Sequence, residues 1–305
     1  MTDLQDTSNA QVVLIVGASS GIGLATARAF AGRGAHLVLV SRSRPTLEAA
    51  AAQCRAAGAG SVRVAPADAR DATAIAGIVS DLVDDHGRID VVVHTATVMA
   101  YGQLEELPQD VFTAVVDTAV TGTLVVGQAS IGLFRKQKRG TLIVVNSLVG
   151  AIVAPSMGAY ATAKWAQAAM LRTWQLETRD APRIRVCSVV PGGVDTPIYY
   201  QAANYTGTAA RPPIPVDPPE KVAAAILRCA DHPRDRISVG LANPITILGF
   251  RLLPKVYSAL VGPLFRVGAL TKTTLAPTAG NVHEPLPDSE GEHGRWPRRW
   301  DISRH

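Results

Sequence analysis

Two polar side chains occur at a spacing that suits acid–base chemistry. Tyr160 and Lys164 are four residues apart in a stretch with helical periodicity, Gly158 to about Leu176, so both should lie on one face of a helix. An ammonium group beside a phenol favours the phenolate, and we expect Lys164 to lower the pKa of Tyr160. Such a phenol would donate or accept a proton near neutral pH.

A serine stands where it could complete this group. Ser147 lies thirteen positions before Tyr160 and just after the apolar run Thr141–Val145, which predicts a buried strand. Ligands bind at the carboxyl ends of strands in open α/β sheets, so we expect its hydroxyl to hydrogen-bond a substrate oxygen there. His94 is a weaker candidate for a second acid or base, because a histidine at a buried strand end more often has a structural role.

A glycine-rich turn follows the first apolar run of the chain. The run is Val12–Val16, and a helical stretch from Ile22 to Arg33 comes after the turn. Glycines let the backbone approach a pyrophosphate closely, and a helix N-terminus offers free N–H groups to it. The pattern therefore predicts a dinucleotide site whose phosphate loop contains Gly17, Ser19, Ser20, Gly21, Ile22 and Gly23.

The end of the second strand bears on the choice of dinucleotide. An NAD site usually has an acidic residue there for the ribose 2′-OH, but this chain has Ser41 and Arg42, with Arg44 nearby. These residues favour the 2′-phosphate of NADP over NAD, although Arg42 as a solvated loop charge remains an alternative. Asp68, followed by Ala69, could accept from the adenine amino group or cap the next helix.

Short apolar runs alternate with longer helical stretches along most of the chain. The predicted strands are Val12–Val16, His36–Val40, Ser61–Ala65, Ile89–His94, Thr141–Val145, Ile184–Val190 and Ile237–Leu241. Helical stretches separate them, among them Pro45–Ala57, Asp71–His86, Thr113–Arg135 and Pro219–Ala230. This alternation predicts a Rossmann-type, doubly wound parallel sheet of six to seven strands with helices on both faces.

The pattern divides the chain into regions. We predict a flexible N-terminus over residues 1–10, a dinucleotide-binding and catalytic domain over 11–245, and an apolar C-terminal extension with a tail over 246–305. The proline- and tyrosine-containing segment 196–217 is expected to be irregular and to act as a lid. Pro244–Gly268 could be a pocket cap, an oligomer contact or an interfacial helix pair, and Trp296 and Trp300 suggest that part of the tail docks.

Composition narrows the classes of partner. The chain has 305 residues, 47% hydrophobic and 18% charged, with a net charge of +5 and no dense basic block before its last residues. We therefore expect a folded protein that does not bind nucleic acid. Three cysteines without ligand spacing argue against a disulfide framework and a metal site. The polar start and the lack of a long apolar stretch lead us to expect a cytoplasmic protein.

Taken together, these motifs resemble those of the classical short-chain dehydrogenase/reductase family over roughly Gln11 to Leu241. The shared features are Gly17, Gly21 and Gly23, then Ser147, Tyr160 and Lys164, and finally Pro191-Gly-Gly-Val194-Asp-Thr196. The resemblance implies that Tyr160 transfers the proton, Lys164 holds the nicotinamide ribose and lowers the Tyr160 pKa, and Ser147 steadies the substrate oxygen. Pro191, Gly192, Val194 and Thr196 would line the nicotinamide end, and Ala96 also matches the family's pattern.

The chain departs from the family at two places. His94-Thr-Ala-Thr97 replaces the usual Asn-Asn-Ala-Gly, and Ala119 stands where the family usually has an asparagine that holds a proton-relaying water. A backbone carbonyl at Ala119 could still hold that water, or turnover could be slower. These departures motivate an alternative, a catalytically weak or inactive nucleotide-binding protein on the same fold. A sugar-nucleotide epimerase or dehydratase is a weaker alternative.

The residues expected around the substrate are mostly apolar. They are Val98–Tyr101, Leu148–Pro155, Gly193–Tyr200 and the lid. We therefore expect an NADP(H)-dependent oxidoreductase that interconverts a hydrophobic secondary alcohol and its ketone. The resemblance also implies a homodimer or homotetramer through the two long helices, where Met170 and Trp174 belong either to such a face or to the core. Membrane contact by Pro244–Gly268 is not expected, because three prolines should break its helices.

Overall fold

The computed structural model describes residues 10–294 and 296. Most of the predicted N-terminus and Trp300 lie outside these residues. The strands are β1 (Val12–Val16), β2 (His36–Val40), β3 (Ser61–Val64), β4 (Val91–His94), β5 (Ala100–Tyr101), β6 (Gly140–Val145), β7 (Ile184–Pro191), β8 (Gly193–Val194), β9 (Ala203–Asn204), β10 (Thr208–Ala210), β11 (Val216–Asp217), β12 (Arg236–Val239) and β13 (Leu270–Thr274). The helices are α1 (Gly21–Ala31), α2 (Arg44–Ala56), α3 (Ala72–His86), α4 (Gln109–Gln137), α5 (Gly158–Glu177), α6 (Ile198–Gln201), α7 (Pro219–Asp231), α8 (Asn243–Leu252) and α9 (Pro254–Ala269).

Seven strands form one parallel sheet in the order β12-β7-β6-β4-β1-β2-β3. This confirms the predicted doubly wound sheet. The strand order reverses between β1 and β4, which pair in parallel from Val13 opposite Val91. Their carboxyl ends therefore open a crevice at the point where ligands bind in such sheets.

Apolar side chains on both faces of β1 explain why the sheet needs helices on both sides. Val13 and Ile15 belong to a core that includes residues of α1, α2 and α7. Leu14 and Val16 belong to a second core with residues of α3, α4 and α5. The continuous apolar run in the sequence is thus the signature of a strand buried on both faces.

Element boundaries differ from the predictions by a few residues. The last strand of the sheet, β12, ends at Val239 rather than Leu241, because Gly240 turns the chain with φ of +125°. Helix α4 runs from Gln109 to Gln137, longer than predicted at both ends. Trp174 of α5 packs against Gly127 of α4, where a Cβ atom would lie 2.0 Å from the indole ring. The half-buried Trp174 therefore packs against the core of the domain, and its place in an oligomer face stays a prediction.

The segment 196–217 is more regular than expected. It contains α6 and three short strands, of which β9 pairs with β5, β10 with β13 and β11 with β8. These pairings tie the segment to the body of the domain and to the C-terminal region. Its role as a lid remains a prediction.

The C-terminal region folds back over the sheet. Helices α8 and α9, which we call the C-terminal helix pair, follow β12, and β13 then pairs antiparallel with β10. Residues 275–294, which we call the C-terminal strap, run from β13 back to the glycine turn before α1. There the amide of Gly21 donates to the carbonyl of Gly291 over 2.8 Å.

Candidate active site

The glycine turn between β1 and α1 requires glycine at three positions. Gly17 and Gly21 have φ of +92° and +51°. A Cβ atom on Gly23 would lie 1.9 Å from the carbonyl oxygen of Gly17. The hydroxyl of Thr95 donates to the carbonyls of Val16 (3.1 Å) and Gly17 (2.9 Å), so a residue of the altered 94–97 run holds the turn in place.

The end of α1 at this turn suits a phosphate group. Ser20 is the N-cap residue, but its side chain caps no amide, and the first turn contains no acidic residue. The uncapped N–H groups and the helix dipole therefore favour an anion at this point. The turn thus fits the pyrophosphate of a dinucleotide, with the carbonyl of Gly291 from the strap at one of its amides.

The three candidate catalytic residues lie together at the carboxyl ends of β6 and the start of α5. Ser147 begins a short 3₁₀ turn, where its Oγ accepts from the amide of Val149 over 3.2 Å. Tyr160 is 7% exposed, and Lys164 is 1% exposed. The Lys164 Nζ lies 5.6 Å from the centre of the Tyr160 ring, as the four-residue spacing predicts.

The electrostatics of this group differ from the prediction. Burial raises the pKa of Tyr160 to about 12, while a hydrogen bond with Ser147 acts in the opposite direction. Burial also lowers the pKa of Lys164 to about 7, so this lysine is about half charged near neutral pH. The pKa of Tyr160 is thus raised in this structure and not lowered as expected, because desolvation of the phenol dominates.

A series of buried hydrogen bonds holds Lys164 in place. Its Nζ donates to the carbonyl of Val145 (3.1 Å) and to Oε1 of Gln167 (3.0 Å). The Gln167 amide in turn donates to Oγ1 of Thr123 over 2.7 Å. Gln167 is 0% exposed, and we did not identify it from the sequence. The available signal was a glutamine three residues after Lys164 on the buried face of α5.

Helix α4 contains both Ala119 and Thr123, the last residue of this buried hydrogen-bond network. Ala119 is fully buried in α4 and supplies no side-chain partner to the lysine. Gln167 gives the ammonium a direct acceptor, so the departure at Ala119 leaves Lys164 partnered.

His94 is in the core and outside the cavity wall. It is 1% exposed, and neither ring nitrogen has a hydrogen-bond partner among the described residues. Burial, with a smaller contribution from Lys164, lowers its pKa to about 3. A neutral imidazole with no access to the cavity does not fit the role of second acid or base.

The charged side chains at the far end of the site are paired in ways the sequence did not predict. Arg42 donates to the backbone carbonyls of residues 281–283 in the strap, at 2.7 to 3.4 Å. It is therefore neither a solvated loop charge nor free in this structure. Asp68 binds the guanidinium of Arg70 over 2.7 Å, and the pKa of Asp68 is lowered despite its partial burial.

Two smaller predictions at this end are corrected. The cap of α3 is Asp71, whose carboxylate accepts from the amide of Ala74 over 2.9 Å, so Asp68 does not serve as the cap. Arg44 lies beside Glu48, 3.7 Å away on the surface of α2, and does not line the cavity. An adenine contact for Asp68 remains a prediction.

One cavity of about 780 Å³ connects the glycine turn with the catalytic group. Apart from His94 and Arg44, every residue that the sequence proposed for catalysis or cofactor binding lines it: Gly17, Ser19, Ser20, Gly21, Ile22, Gly23, Ser41, Arg42, Asp68, Ala69, Ala96, Ser147, Tyr160, Lys164, Pro191, Gly192, Val194 and Thr196. The wall beyond Tyr160 is apolar, and it includes Met99, Met157 and Ile152. Helix α9 adds Val261 and Phe265, which makes Pro244–Gly268 a wall of the pocket.

Trp296, two residues beyond the C-terminal strap, packs against Asp195 and Tyr200. The amide of Trp296 donates to the Asp195 carboxylate over 2.8 Å, and its ring stacks on Tyr200. The expected docking of Trp296 is therefore present. Potential metal-ligand atoms of Glu220, Glu292 and His293 lie within 4.8 Å of one another, and His293 forms an ion pair with Glu220 at 2.9 Å.

Comparisons with known proteins agree with this geometry. The model of the short chain dehydrogenase family matches residues 11–204. A 3-oxoacyl-acyl-carrier-protein reductase (FabG) of Thermotoga maritima is 31% identical over 71% of this chain and 89% of its own length. An uncharacterized oxidoreductase of Bacillus subtilis (YxnA) is 32% identical over 82% of this chain and 71% of its own length.

Solved structures show the same likeness. An alcohol dehydrogenase from the archaeon Thermococcus sibiricus, complexed with 5-hydroxy-NADP, has 28% identity and a TM-score of 0.65. The similarity covers 76% of this chain and 96% of that one. Family model, relatives and sheet topology agree, and the chain belongs to the short-chain dehydrogenase family of oxidoreductases.

Proposed function

We propose that this protein is an NADP(H)-dependent oxidoreductase that interconverts a hydrophobic secondary alcohol and its ketone. One observation carries the proposal: Ser147, Tyr160 and Lys164 line one end of a cavity whose other end is the glycine turn at Gly17–Gly23. The turn fits a dinucleotide, because the side chain of Ser20 caps no amide at the N-terminus of α1 and the first turn of that helix has no acidic residue. Bound NADP(H) would supply or accept the hydride at the substrate carbon.

The residues of this chain would handle the proton. With a pKa raised to about 12, the Tyr160 phenol is protonated near neutral pH and can donate to the carbonyl oxygen during reduction. Ser147 is placed to hydrogen-bond the same oxygen and to stabilise the phenolate that remains. The buried ammonium of Lys164 would stabilise the negative charge left on Tyr160, and Gln167 would hold that ammonium in position.

The substrate class follows from the cavity wall. The charged residues that line the cavity are Arg42, Asp68, Lys164, Asp217 and Glu290. None of them belongs to the wall formed by Val98–Tyr101, Leu148–Ala154 and α9. An apolar wall without ionic partners disfavours a phosphate or carboxylate group and favours an alkyl or alicyclic ketone.

The test is NADPH consumption against a panel of hydrophobic and anionic ketones, run in parallel with Tyr160→Phe. We expect turnover of apolar ketones, at least about 100-fold loss of kcat in Tyr160→Phe, and unchanged NADPH binding by fluorescence. Tyr205→Phe is the matched control, because Tyr205 does not line the cavity. NADPH binding without turnover of any carbonyl would replace this proposal with the nucleotide-binding alternative.

The preference for NADP rests on Ser41 and Arg42 at the end of β2. Both line the cavity, although Arg42 also binds the strap carbonyls. We expect Ser41→Asp with Arg42→Ala to move the ratio of kcat/KM for NADPH and NADH toward NADH. Arg44→Ala is the control, since Arg44 pairs with Glu48 on the surface. An unchanged ratio would remove the basis for this preference.

We further propose a cytoplasmic homodimer or homotetramer that assembles through α4 and α5. Leu124 and Leu176 on these helices are 38% and 49% exposed, as a contact face requires. Light scattering of the purified protein tests the assembly, and Leu124→Asp with Leu176→Asp should release monomers. A wild-type monomer at micromolar concentration would contradict this part of the proposal.

A further inference from the structure

The C-terminal helix pair leaves an unusual amount of apolar surface uncovered. Between residues 241 and 269, only Asn243 and Ala269 are buried. Nine large apolar side chains in this stretch are 51% to 87% exposed: Leu241, Ile245, Leu248, Leu252, Leu253, Val256, Leu260, Leu264 and Val267. Contiguous exposed apolar surface of this kind marks an interaction site in soluble proteins.

The charge around this surface has one sign. The chain contains no aspartate or glutamate from Arg236 to His283. The cationic residues in this stretch are exposed, and they are Arg236, Arg251, Lys255, Arg266 and Lys272. Among the described residues, none of these five takes part in an ion pair. The surface is therefore apolar with an uncompensated positive border, a pattern that fits an anionic lipid surface.

Helix geometry separates the two kinds of residue on α9. Val256, Leu260 and Leu264 follow one another at intervals of four and form the exposed apolar row. Lys255 and Arg266 are eleven residues apart, about three full turns, so they project together, on the side of the helix away from that row. On such an amphipathic helix the apolar row can enter the acyl region while the long cationic side chains reach the headgroups.

The same helix forms the mouth of the substrate cavity. Leu253, Val256, Leu260 and Leu264 line the cavity, although each is more than half exposed. Tyr257 lies one position along and contacts the body of the domain, where its hydroxyl donates to the carbonyl of Val153 over 2.6 Å. The apolar interior of the pocket is thus continuous with the apolar outer surface.

The helix pair is suited to lying on a bilayer and too short to cross one. Helices α8 and α9 have 10 and 16 residues, which at about 1.5 Å per residue is less than the roughly 30 Å of a hydrocarbon core. Among the described residues, α4 alone is long and apolar enough to span a membrane, and it packs inside the domain against α5 and β6. An interfacial position is therefore the arrangement that the lengths allow.

The prolines do not prevent this arrangement. Pro244 and Pro254 occupy the first turns of α8 and α9, where a missing N–H costs nothing, and α9 continues through Pro263 to Ala269. The expectation that prolines break these helices holds at Pro254, where α8 has ended at Leu252 and α9 begins, and is wrong at Pro263. Each helix is intact over its own length, so the prolines give no reason to exclude membrane contact.

We propose that the C-terminal helix pair docks on an anionic lipid surface and that substrate dissolved in the lipid enters the cavity through its apolar mouth. The route of entry rests on the proposed function, whereas the docking does not. A second copy of the chain is a poorer occupant, because a symmetric contact through this face would bring together two copies of a region that contains Arg251, Lys255 and Arg266 and no acidic residue. A membrane-dissolved ketone also matches the uncharged wall of the pocket.

Docking is tested by cosedimentation of the full chain with vesicles of phosphatidylcholine alone and with vesicles that also contain phosphatidylglycerol. We expect binding to the second kind, weakened by high salt. Lys255→Glu with Arg266→Glu should reduce binding at least about tenfold, and so should Leu248→Gln, Leu252→Gln and Val267→Gln together. All five side chains lie outside the cavity wall.

Matched controls distinguish a change at this surface from the same change in charge or polarity elsewhere on the protein. Lys136→Glu with Arg179→Glu makes the same change in net charge at exposed positions on α4 and beyond α5, and Leu104→Gln removes a similarly exposed apolar group that lines no part of the cavity. Both should bind vesicles as the wild type does. Equal loss in these controls, or no vesicle binding by the wild type, would overturn docking. A dimer that the apolar triple variant dissolves, without vesicle binding, would assign the surface to a second copy.

The route of entry has its own readout. Vesicles should raise kcat/KM at least about fivefold for a long-chain ketone that partitions into lipid, and leave the value for a short water-soluble ketone unchanged. The increase should disappear in Lys255→Glu with Arg266→Glu. Vesicle binding without this increase would overturn the route alone. Vesicle binding without turnover of any ketone would instead overturn the proposed function.

Discussion

Replacing Gln167 with leucine tests whether the buried hydrogen bonds around Lys164 set the protonation state of that lysine. The change keeps the side-chain volume and removes the acceptor 3.0 Å from the Lys164 Nζ. It also removes the donor to Thr123 at 2.7 Å. The ammonium would keep the Val145 carbonyl as its remaining acceptor among the described residues.

The magnitude follows from the charge on the donor. A buried hydrogen bond to a charged group contributes about 1.5–3 kcal/mol, and one pKa unit corresponds to about 1.4 kcal/mol. The bond stabilises the charged form, so its loss should lower the pKa of Lys164 by about one to two units from its present value of about 7. The lysine would then lose its proton at a lower pH, and less of it would be charged near neutral pH.

The assay is the pH dependence of kcat/KM for reduction of a ketone by NADPH. If the ammonium is the active form, activity falls on the alkaline side as Lys164 loses its proton, and that limb should move to lower pH in Gln167→Leu. Thr123→Val is the matched control, because it removes the lower hydrogen bond and leaves the bond between Gln167 and Lys164. It should lower stability by about 1 kcal/mol and move the alkaline limb by less than about half a unit.

Two results would refute this reasoning. An alkaline limb that stays in place in Gln167→Leu, despite a lower melting temperature, would leave Gln167 with a packing role alone. An equal shift in both variants would show that the limb reports general loosening of α4 against α5.

Three further predictions concern the core and the glycine turn. The pKa of His94 is lowered to about 3 in the folded protein, so the unfolded chain binds the proton first on acidification. The free energy of unfolding of the wild type should therefore fall by about 2 kcal/mol between neutral pH and about pH 5, and that of His94→Leu should fall by less. The control is His232→Leu at an exposed position, which should keep the wild-type dependence of the unfolding free energy on pH, measured by urea unfolding. The same pH dependence in His94→Leu as in the wild type would show that His94 does not cause it. Gly23→Ala should abolish NADPH binding measured by fluorescence, since its Cβ would lie 1.9 Å from a carbonyl oxygen, and retained affinity would show that the turn adapts. Gly127→Ala should lower stability by about 1–3 kcal/mol, because the new methyl group would meet the Trp174 ring at 2.0 Å; a melting temperature equal to the wild type would contradict that packing.

Much of the site could be predicted because its signals are local. The four-residue spacing of Tyr160 and Lys164 follows from helix geometry, and the glycine turn follows from backbone sterics at Gly17 and Gly23. Parallel strands place their carboxyl ends along one edge, which is why Ser147 could be assigned to the same cavity from its position after a strand. These inferences need no knowledge of which distant elements pack together.

Other properties depend on what surrounds each group in the folded chain. Spacing alone indicated that Lys164 would lower the Tyr160 pKa, but burial of the phenol raises that pKa to about 12. Arg42 was expected to be open to a phosphate, yet it binds carbonyls about 240 residues later in the chain. Desolvation and long-range pairing depend on elements far apart in sequence, so no local pattern could reveal them.

The apolar run after Pro244 shows both kinds of information at once. Its apolar composition suggested a pocket cap, an oligomer contact or an interfacial helix pair, because these alternatives follow from the residues themselves. One side of α9 lines the cavity and its neighbouring side stays exposed. This division depends on how the helix is rotated against the domain. A sequence records which side chains are apolar, whereas only packing against distant elements decides which of them are removed from water.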